Sequence, residues 1–164
     1  MASWKGHVVG GAVFIAVYAA VISFTPIERL SEAAGLLNDW QSLAAVFVIG
    51  ILFALFPDVD TNSKAQDIFF GIAFLMDILL LVTGSIKAAA YLGLIAMLPI
   101  VSHHRGWTHR WWAMIMVPLP ILVVPYLYDS GLLLIAIIYY GAAVTGYLSH
   151  LFFDGYILHP RRLF

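Results

Sequence analysis

Histidines and aspartates that can bind a metal ion recur along this chain, each close to the end of a long apolar segment. They are His7, Asp58, Asp60, His103, His104, His109, His150 and Asp154. Imidazole nitrogens and carboxylate oxygens are common protein ligands for zinc and related divalent ions. Their distribution favours a divalent metal site, provided that the fold brings these distant positions together.

Two of the carboxylates are close neighbours, because Asp58 and Asp60 are separated by one residue and follow Pro57. Carboxylates so close repel each other unless a cation neutralises them. They also follow the end of a predicted helix, and the C-terminal end of a helix is unfavourable for negative charge. One of them could bridge two ions, which in hydrolases lie about 3.5–4 Å apart. The alternative is a solvated turn, since Asp is a common turn residue.

The run HHRGWTH at residues 103–109 has the highest density of such side chains. Gly106 permits a tight turn, so that His104 and His109 can face one centre. Arg105 is placed to bind a phosphate oxygen or a developing negative charge, and Thr108 is predicted to cap the following helix. The alternative is a basic loop that binds anionic lipid headgroups.

His150 and Asp154 are four residues apart, which places both side chains on one face of a helix. Taken alone, this spacing also fits a hydrogen bond within the helix. His7 opens the first apolar segment, and the Gly10-Gly11 pair after it predicts a close approach by another helix. Asp77 lies inside the third segment, where we interpret it as a polar contact between helices.

The composition identifies an integral membrane protein. The 164 residues are 63% hydrophobic and 10% charged, with a mean hydropathy of +0.96, whereas soluble domains are about half apolar and about a quarter charged. The apolar runs do not alternate with polar residues, which excludes a transmembrane β-barrel. We therefore predict an all-α polytopic membrane bundle forming a single domain, residues 1–164. There is no cysteine, and the net charge of −1 gives no reason to expect nucleic-acid binding.

About six transmembrane helices are predicted, at residues 7–24, 42–56, 67–82, 86–101, 108–128 and 131–153. The first is interpreted as a retained helix rather than a cleaved signal peptide, and the prolines at 118, 120 and 125 should kink the fifth. Six crossings return every candidate ligand to one membrane face. That face also carries most of the Lys and Arg, so both termini and the site are predicted to be cytoplasmic.

These motifs, in this order, resemble the YdjM-like family of prokaryotic membrane proteins, which are predicted metal-dependent hydrolases. The resemblance rests on His7 with the glycine pair, the Pro-Asp-Val-Asp run, an HRGxTH motif at residues 104–109 and a GYLSHxxxD motif at residues 146–154. It implies an inner-membrane location and a ligand set of His7, Asp58, Asp60, His104, His109, His150 and Asp154. Its distant similarity to zinc-dependent phospholipase C and P1-type nucleases implies phosphoester hydrolysis with one to three Zn²⁺ ions, Mn²⁺ being possible.

The leading hypothesis is therefore a metal-dependent hydrolase that acts on a phosphoester of a membrane lipid or lipid-linked substrate. Asp60 or Asp154 would accept a proton from water, and Arg105 would stabilise the developing anion. One alternative is a divalent metal-ion transporter, which would need ligands near the membrane midplane. Another is a non-catalytic membrane partner with a structural metal, in a closed site without a position for water.

Overall fold

The computed structural model describes residues 3–25, 28–60, 63–101 and 107–155. Within these ranges the chain consists of helices joined by short turns and forms no strand, as the sequence predicts. The α-helices are α1 (Trp4–Phe24), α2 (Glu28–Leu37), α3 (Trp40–Leu55), α4 (Lys64–Val82), α5 (Ile86–Val101), α6 (Trp111–Met116), α7 (Leu119–Tyr128) and α8 (Leu133–Phe153). Three short 3-10 helices lie between them, at Phe56–Asp60, Trp107–His109 and Ser130–Leu132.

Five stretches of the described chain are long and apolar enough to cross a membrane. They are Trp4–Phe24, Trp40–Asp60, Lys64–Val82, Trp111–Tyr128 and Ser130–Phe153. Helix α5 completes the six predicted segments, but its 16 residues span about 24 Å, less than the hydrocarbon core of about 30 Å. The all-helical membrane fold is thus confirmed, with one helix too short for a straight crossing.

Helices α1, α3 and α8 form the tightly packed centre of the bundle. Small residues lie where their backbones meet, and they allow the helices to approach closely. A Cβ atom on Gly11 would lie 2.7 Å from the Cβ of Ala54, and one on Gly146 would overlap the backbone carbonyl of Gly50. The close approach predicted for the Gly10-Gly11 pair is therefore confirmed.

The polar segment between the first two predicted membrane helices, at residues 7–24 and 42–56, contains a helix that was not predicted. In α2, Ala33 and Leu37 are four residues apart and are both buried, within the same apolar cluster as Ile15 of α1 and Ile138 of α8. The side chain of Asp39 then caps α3 by accepting a hydrogen bond of 2.9 Å from the Ser42 N–H. Because of this cap, α3 begins at Trp40, two residues earlier than predicted.

The fifth predicted segment is divided, as its prolines indicate. Helix α6 ends at Met116 and α7 begins at Leu119, with Pro118 at the N-cap of α7, because proline lacks the N–H needed to continue a helix. The prediction that Thr108 caps this segment is wrong. Thr108 lies in the 3-10 helix Trp107–His109, and the N-cap of α6 is Arg110.

Candidate metal centre

Four segments converge at one end of the bundle and carry the predicted ligands. His7 lies in the first turn of α1, Asp58 in the 3-10 helix after α3, and His109 in the 3-10 helix before α6. His150 lies in the last turn of α8, and Asp154 follows as its C-cap. The antiparallel path of the chain thus places residues from its whole length beside one another, as the sequence predicts.

Asp58, His109, His150 and Asp154 form a compact group, in which one ligand atom from each lies within 4.8 Å of all the others. Asp58 Oδ1 lies 3.8 Å from His109 Nε2 and 3.7 Å from His150 Nε2. Asp154 Oδ2 lies 3.7 Å from His150 Nε2. We refer to these four residues as the ligand group.

A backbone carbonyl fixes the orientation of His150. Its Nδ1 lies 2.8 Å from the carbonyl oxygen of Ala54, in the last turn of α3. A carbonyl can only accept, so Nδ1 carries the proton and Nε2 is left with its lone pair. This Nε2 is buried and makes no hydrogen bond with the described residues. It points toward the carboxylates, as expected of a metal-binding histidine held by a carbonyl behind it.

A buried hydroxyl fixes the proton of His109 on Nδ1, as the Ala54 carbonyl does for His150. Thr108 Oγ1 donates to Asp60 Oδ2 over 2.8 Å and lies 3.1 Å from His109 Nδ1. Because a hydroxyl has one proton and Asp60 receives it, the Thr108 oxygen accepts from Nδ1–H of His109. The lone pair of His109 is then on Nε2, which faces Asp58. Tyr147 of α8 supports this segment by donating its phenol proton to the Thr108 carbonyl.

The atoms of the ligand group that face one another are therefore all hydrogen-bond acceptors. Two imidazole lone pairs and two carboxylates face a common centre, with side chains buried except for Asp58, which is 24% exposed. Such an arrangement is unfavourable unless a cation lies between the acceptors. A tetrahedral zinc site with bonds of about 2.0–2.2 Å has ligand atoms about 3.3–3.6 Å apart, slightly less than the three separations of 3.7–3.8 Å given above. The donor set fits a divalent metal.

His7 lies next to the carboxylate oxygen of Asp154 that does not face His150. Its Nε2 is 3.3 Å from Asp154 Oδ1, and its ring stacks on that of His150 with centroids 3.8 Å apart. Neither nitrogen of His7 makes a hydrogen bond with the described residues. The two oxygens of Asp154 thus face different histidines, so that His7 and Asp154 would together offer ligand atoms for a second ion.

The remaining predicted residues are placed as follows. Asp60 lies outside the ligand group, next to Thr108, and its role as a ligand or base stays a prediction. His103, His104 and Arg105 fall outside the described residues, so their roles also stay predictions. Asp77 faces α5, where a Cβ on Gly93 would lie 3.4 Å from its Oδ2, although its Oδ1 finds no hydrogen-bond partner in the described chain.

Sequence reasoning missed three supporting groups: the Ala54 carbonyl, the Thr108 hydroxyl and the Tyr147 phenol. A backbone carbonyl has no signal in the sequence. Thr108 and Tyr147 do lie inside the two specific motifs, at one and three residues from a histidine, and this proximity is the signal that could have suggested supporting roles.

The profile of the family described as YdjM inner membrane protein matches residues 1–164. The chain belongs to this family. All four members of the ligand group in this YdjM-family chain lie within the match, as do the segments that position them. Neither the curated proteins nor the solved structures include a match to the chain. Family membership establishes an inner membrane protein.

Replacing Thr108 with valine is expected to weaken metal binding by about 10–100-fold, as is typical when a group that orients a ligand is lost. Valine has the shape of threonine without the hydroxyl, so His109 loses its partner at Nδ1 and Asp60 loses a donor. Titration of the metal-free protein with Zn²⁺ measures the effect. Thr108→Ser should restore the affinity because it restores the hydroxyl. Equal affinities for the valine variant and the native protein would contradict this orienting role.

Proposed function

We propose that this protein is a membrane-embedded, metal-dependent hydrolase that cleaves a phosphoester of a lipid or lipid-linked substrate at the cytoplasmic face. The observation that carries the proposal is the ligand group, in which two oriented imidazole lone pairs and two carboxylates face one centre at the end of apolar helices. An electrostatically costly arrangement of this kind indicates a function rather than a contribution to stability.

The donor set of nitrogen and oxygen atoms suits Zn²⁺, with Mn²⁺ as the alternative. Asp58, His109, His150 and Asp154 would hold one ion, and His7 with the second oxygen of Asp154 would contribute to another. A divalent ion at this position supplies a water of lowered pKa and polarises a phosphoryl oxygen.

The side chains around the site have distinct proposed roles. Asp58 is the most exposed of the ligand group, so substrate would approach from its side. Both oxygens of Asp154 face histidines, which favours a ligand role for Asp154 and leaves Asp60 as the preferred proton acceptor. Arg105 is proposed from the sequence to bind the developing anion.

The location of the site supports a lipid substrate and a cytoplasmic orientation. The ligands lie at the ends of helices α1, α3 and α8, where a bilayer places its headgroups, rather than at mid-helix as a transporter would require. The order of the six predicted segments assigns Lys5, Lys64, Arg105, Arg110, Arg161 and Arg162 to the site's side of the membrane, and Arg29 and Lys87 to the other side. Such an excess of basic residues marks the cytoplasmic side.

The proposal is tested by metal analysis of the purified protein together with hydrolysis assays on phosphatidic acid and phosphatidylglycerol. We expect bound Zn²⁺ or Mn²⁺, hydrolysis of at least one lipid, loss of activity on chelation and recovery when metal is returned. The His109→Ala variant should lose both metal and activity. Bound metal without hydrolysis of any lipid phosphate would refute the enzymatic function, and an absence of metal from the native protein would refute the site.

A further inference from the structure

A cavity of about 470 Å³ lies beside the metal centre, within the 300–1,000 Å³ range typical of ligand sites. It lies between α3, α4 and α5, and is closed by Trp107 before α6 and by Val117 between α6 and α7. Its lining is apolar and includes Phe56, Phe69, Ala73, Met76, Trp107 and Val117. Ala65 is the one buried residue that the described α4 contributes, so this helix leaves space between itself and the centre of the bundle.

The walls of the cavity continue directly into the metal centre. Phe56 is two residues before Asp58 in one 3-10 helix, and Trp107 is two residues before His109 in another. The ring of Tyr147 lies 6.1 Å from that of Phe56, and its hydroxyl donates to the carbonyl of Thr108. The same short segments therefore carry ligands on one side and cavity walls on the other.

The cavity extends from the site toward the interior of the bilayer. Along α3 its lining runs from Phe56 back to Leu52, and along α4 from Phe69 to Met76. The seven-residue step on α4 corresponds to about 10 Å along the helix axis. A polar ligand would lose its hydrogen bonds to water in such an apolar space, whereas a hydrocarbon chain would lose none.

We propose that this cavity holds an acyl chain of the substrate lipid while the lipid phosphate lies at the metal centre. The inference rests on the proposed hydrolase function and narrows its substrate to phosphate lipids that carry an acyl chain. Phosphate and chain would be recognised side by side, the phosphate by the metal that Asp58 and its neighbours would hold and the chain by Phe56 and Trp107. The enzyme would then discriminate against phosphoesters that lack a chain.

Filling the cavity with Ala73→Phe tests the proposal through substrate preference. Ala73 lines the cavity, while Ala90 on α5 is exposed and serves for the matched control Ala90→Phe. We expect Ala73→Phe to lower kcat/KM for a long-chain phospholipid by about tenfold or more, as steric changes in apolar pockets do, without changing kcat/KM for a soluble phosphodiester. Ala90→Phe should change neither. Ala73→Leu is the milder variant if Ala73→Phe does not fold.

A cross-linking experiment separates failure of this inference from failure of the hydrolase proposal. The metal-loaded protein in phosphatidylcholine vesicles is irradiated with phosphatidylglycerol or with diacylglycerol, each carrying a diazirine in one chain. Preferential labelling of Phe56 and Trp107 by phosphatidylglycerol, lost in Ala73→Phe and kept in Ala90→Phe, supports the inference even if no lipid is hydrolysed. Equal labelling by both probes, no labelling of these residues, or an unchanged substrate preference in both Ala73 variants overturns it.

Discussion

Replacing Asp58 with asparagine is expected to lower metal affinity by more than about 100-fold, a larger effect than the loss of an orienting group produces. Its Oδ1 lies 3.8 Å from His109 Nε2 and 3.7 Å from His150 Nε2, so it faces both imidazole lone pairs of the ligand group. Asparagine has nearly the same shape but removes one negative charge and halves the number of acceptor oxygens. Hydrolysis should fall by at least the same factor, which corresponds to about 2.7 kcal/mol of transition-state stabilisation.

The matched control is Asp67→Asn. Asp67 is in the first turn of α4 and forms an exposed ion pair with Lys64 over 3.1 Å, a kind of contact that contributes about 0–1 kcal/mol. Metal content by elemental analysis and affinity by titration should remain at native values in this control. If Asp58→Asn binds Zn²⁺ as tightly as Asp67→Asn does, Asp58 is not a ligand and the ligand group is wrongly assigned.

A single methyl group at position 146 is expected to destabilise the fold by about 3 kcal/mol or more, at or above the upper end of the usual cost of overpacking. In the described structure, a Cβ at Gly146 would overlap the Gly50 carbonyl oxygen and lie 2.8 Å from its carbonyl carbon. The obstacle is backbone, so no change of rotamer relieves it, and α3 and α8 must move apart. These two helices lead into Asp58 and carry His150, so Gly146→Ala should also weaken metal binding.

Gly71→Ala provides the control for this prediction, because a Cβ at Gly71 of α4 would meet no atom within 4 Å. Alanine is favoured over glycine inside helices by about 0.5–1 kcal/mol, so this variant should be as stable as the native protein or slightly more so. Thermal unfolding in detergent, followed by circular dichroism, compares the two. A Gly146→Ala protein that unfolds at the native temperature would contradict the close packing of α3 on α8.

Much of the fold follows from the sequence because a bilayer imposes simple constraints. Apolar segments must be helical to satisfy their backbone groups without water, and their number determines the membrane face at which each end lies. The predicted ligands His7, Asp58, His109, His150 and Asp154 were therefore expected at one end, and each has an atom within 3.8 Å of another of them there. The helix break at Pro118 and the close helix approach at Gly11 were also predictable from the sequence. Proline interrupts a helix and glycine lets two helices approach because of the residue type alone.

The helix α2 shows where this local reasoning fails. No helix was predicted between residues 24 and 42, yet Ala33 and Leu37 of α2 are buried in one cluster with residues of α1 and α8. Its ten residues are half apolar and half polar or glycine, which gives too weak a pattern to recognise when hydropathy is averaged over a membrane-length window. The contacts that stabilise the helix are made with other helices, chiefly with the neighbouring α1 and, at the far end of the chain, with α8.

The sequence by itself determined the kind of protein, the helical membrane fold and the end of the bundle at which the histidines and aspartates meet. These properties depend on residue type and on segment order, and both are written in the chain. Only the tertiary structure decided which nitrogen of His150 carries the proton, that Thr108 lies between Asp60 and His109, and that an apolar cavity adjoins the site. Those features depend on ångström-scale distances between helices, which are set by backbone packing at positions such as Gly50 and Gly146.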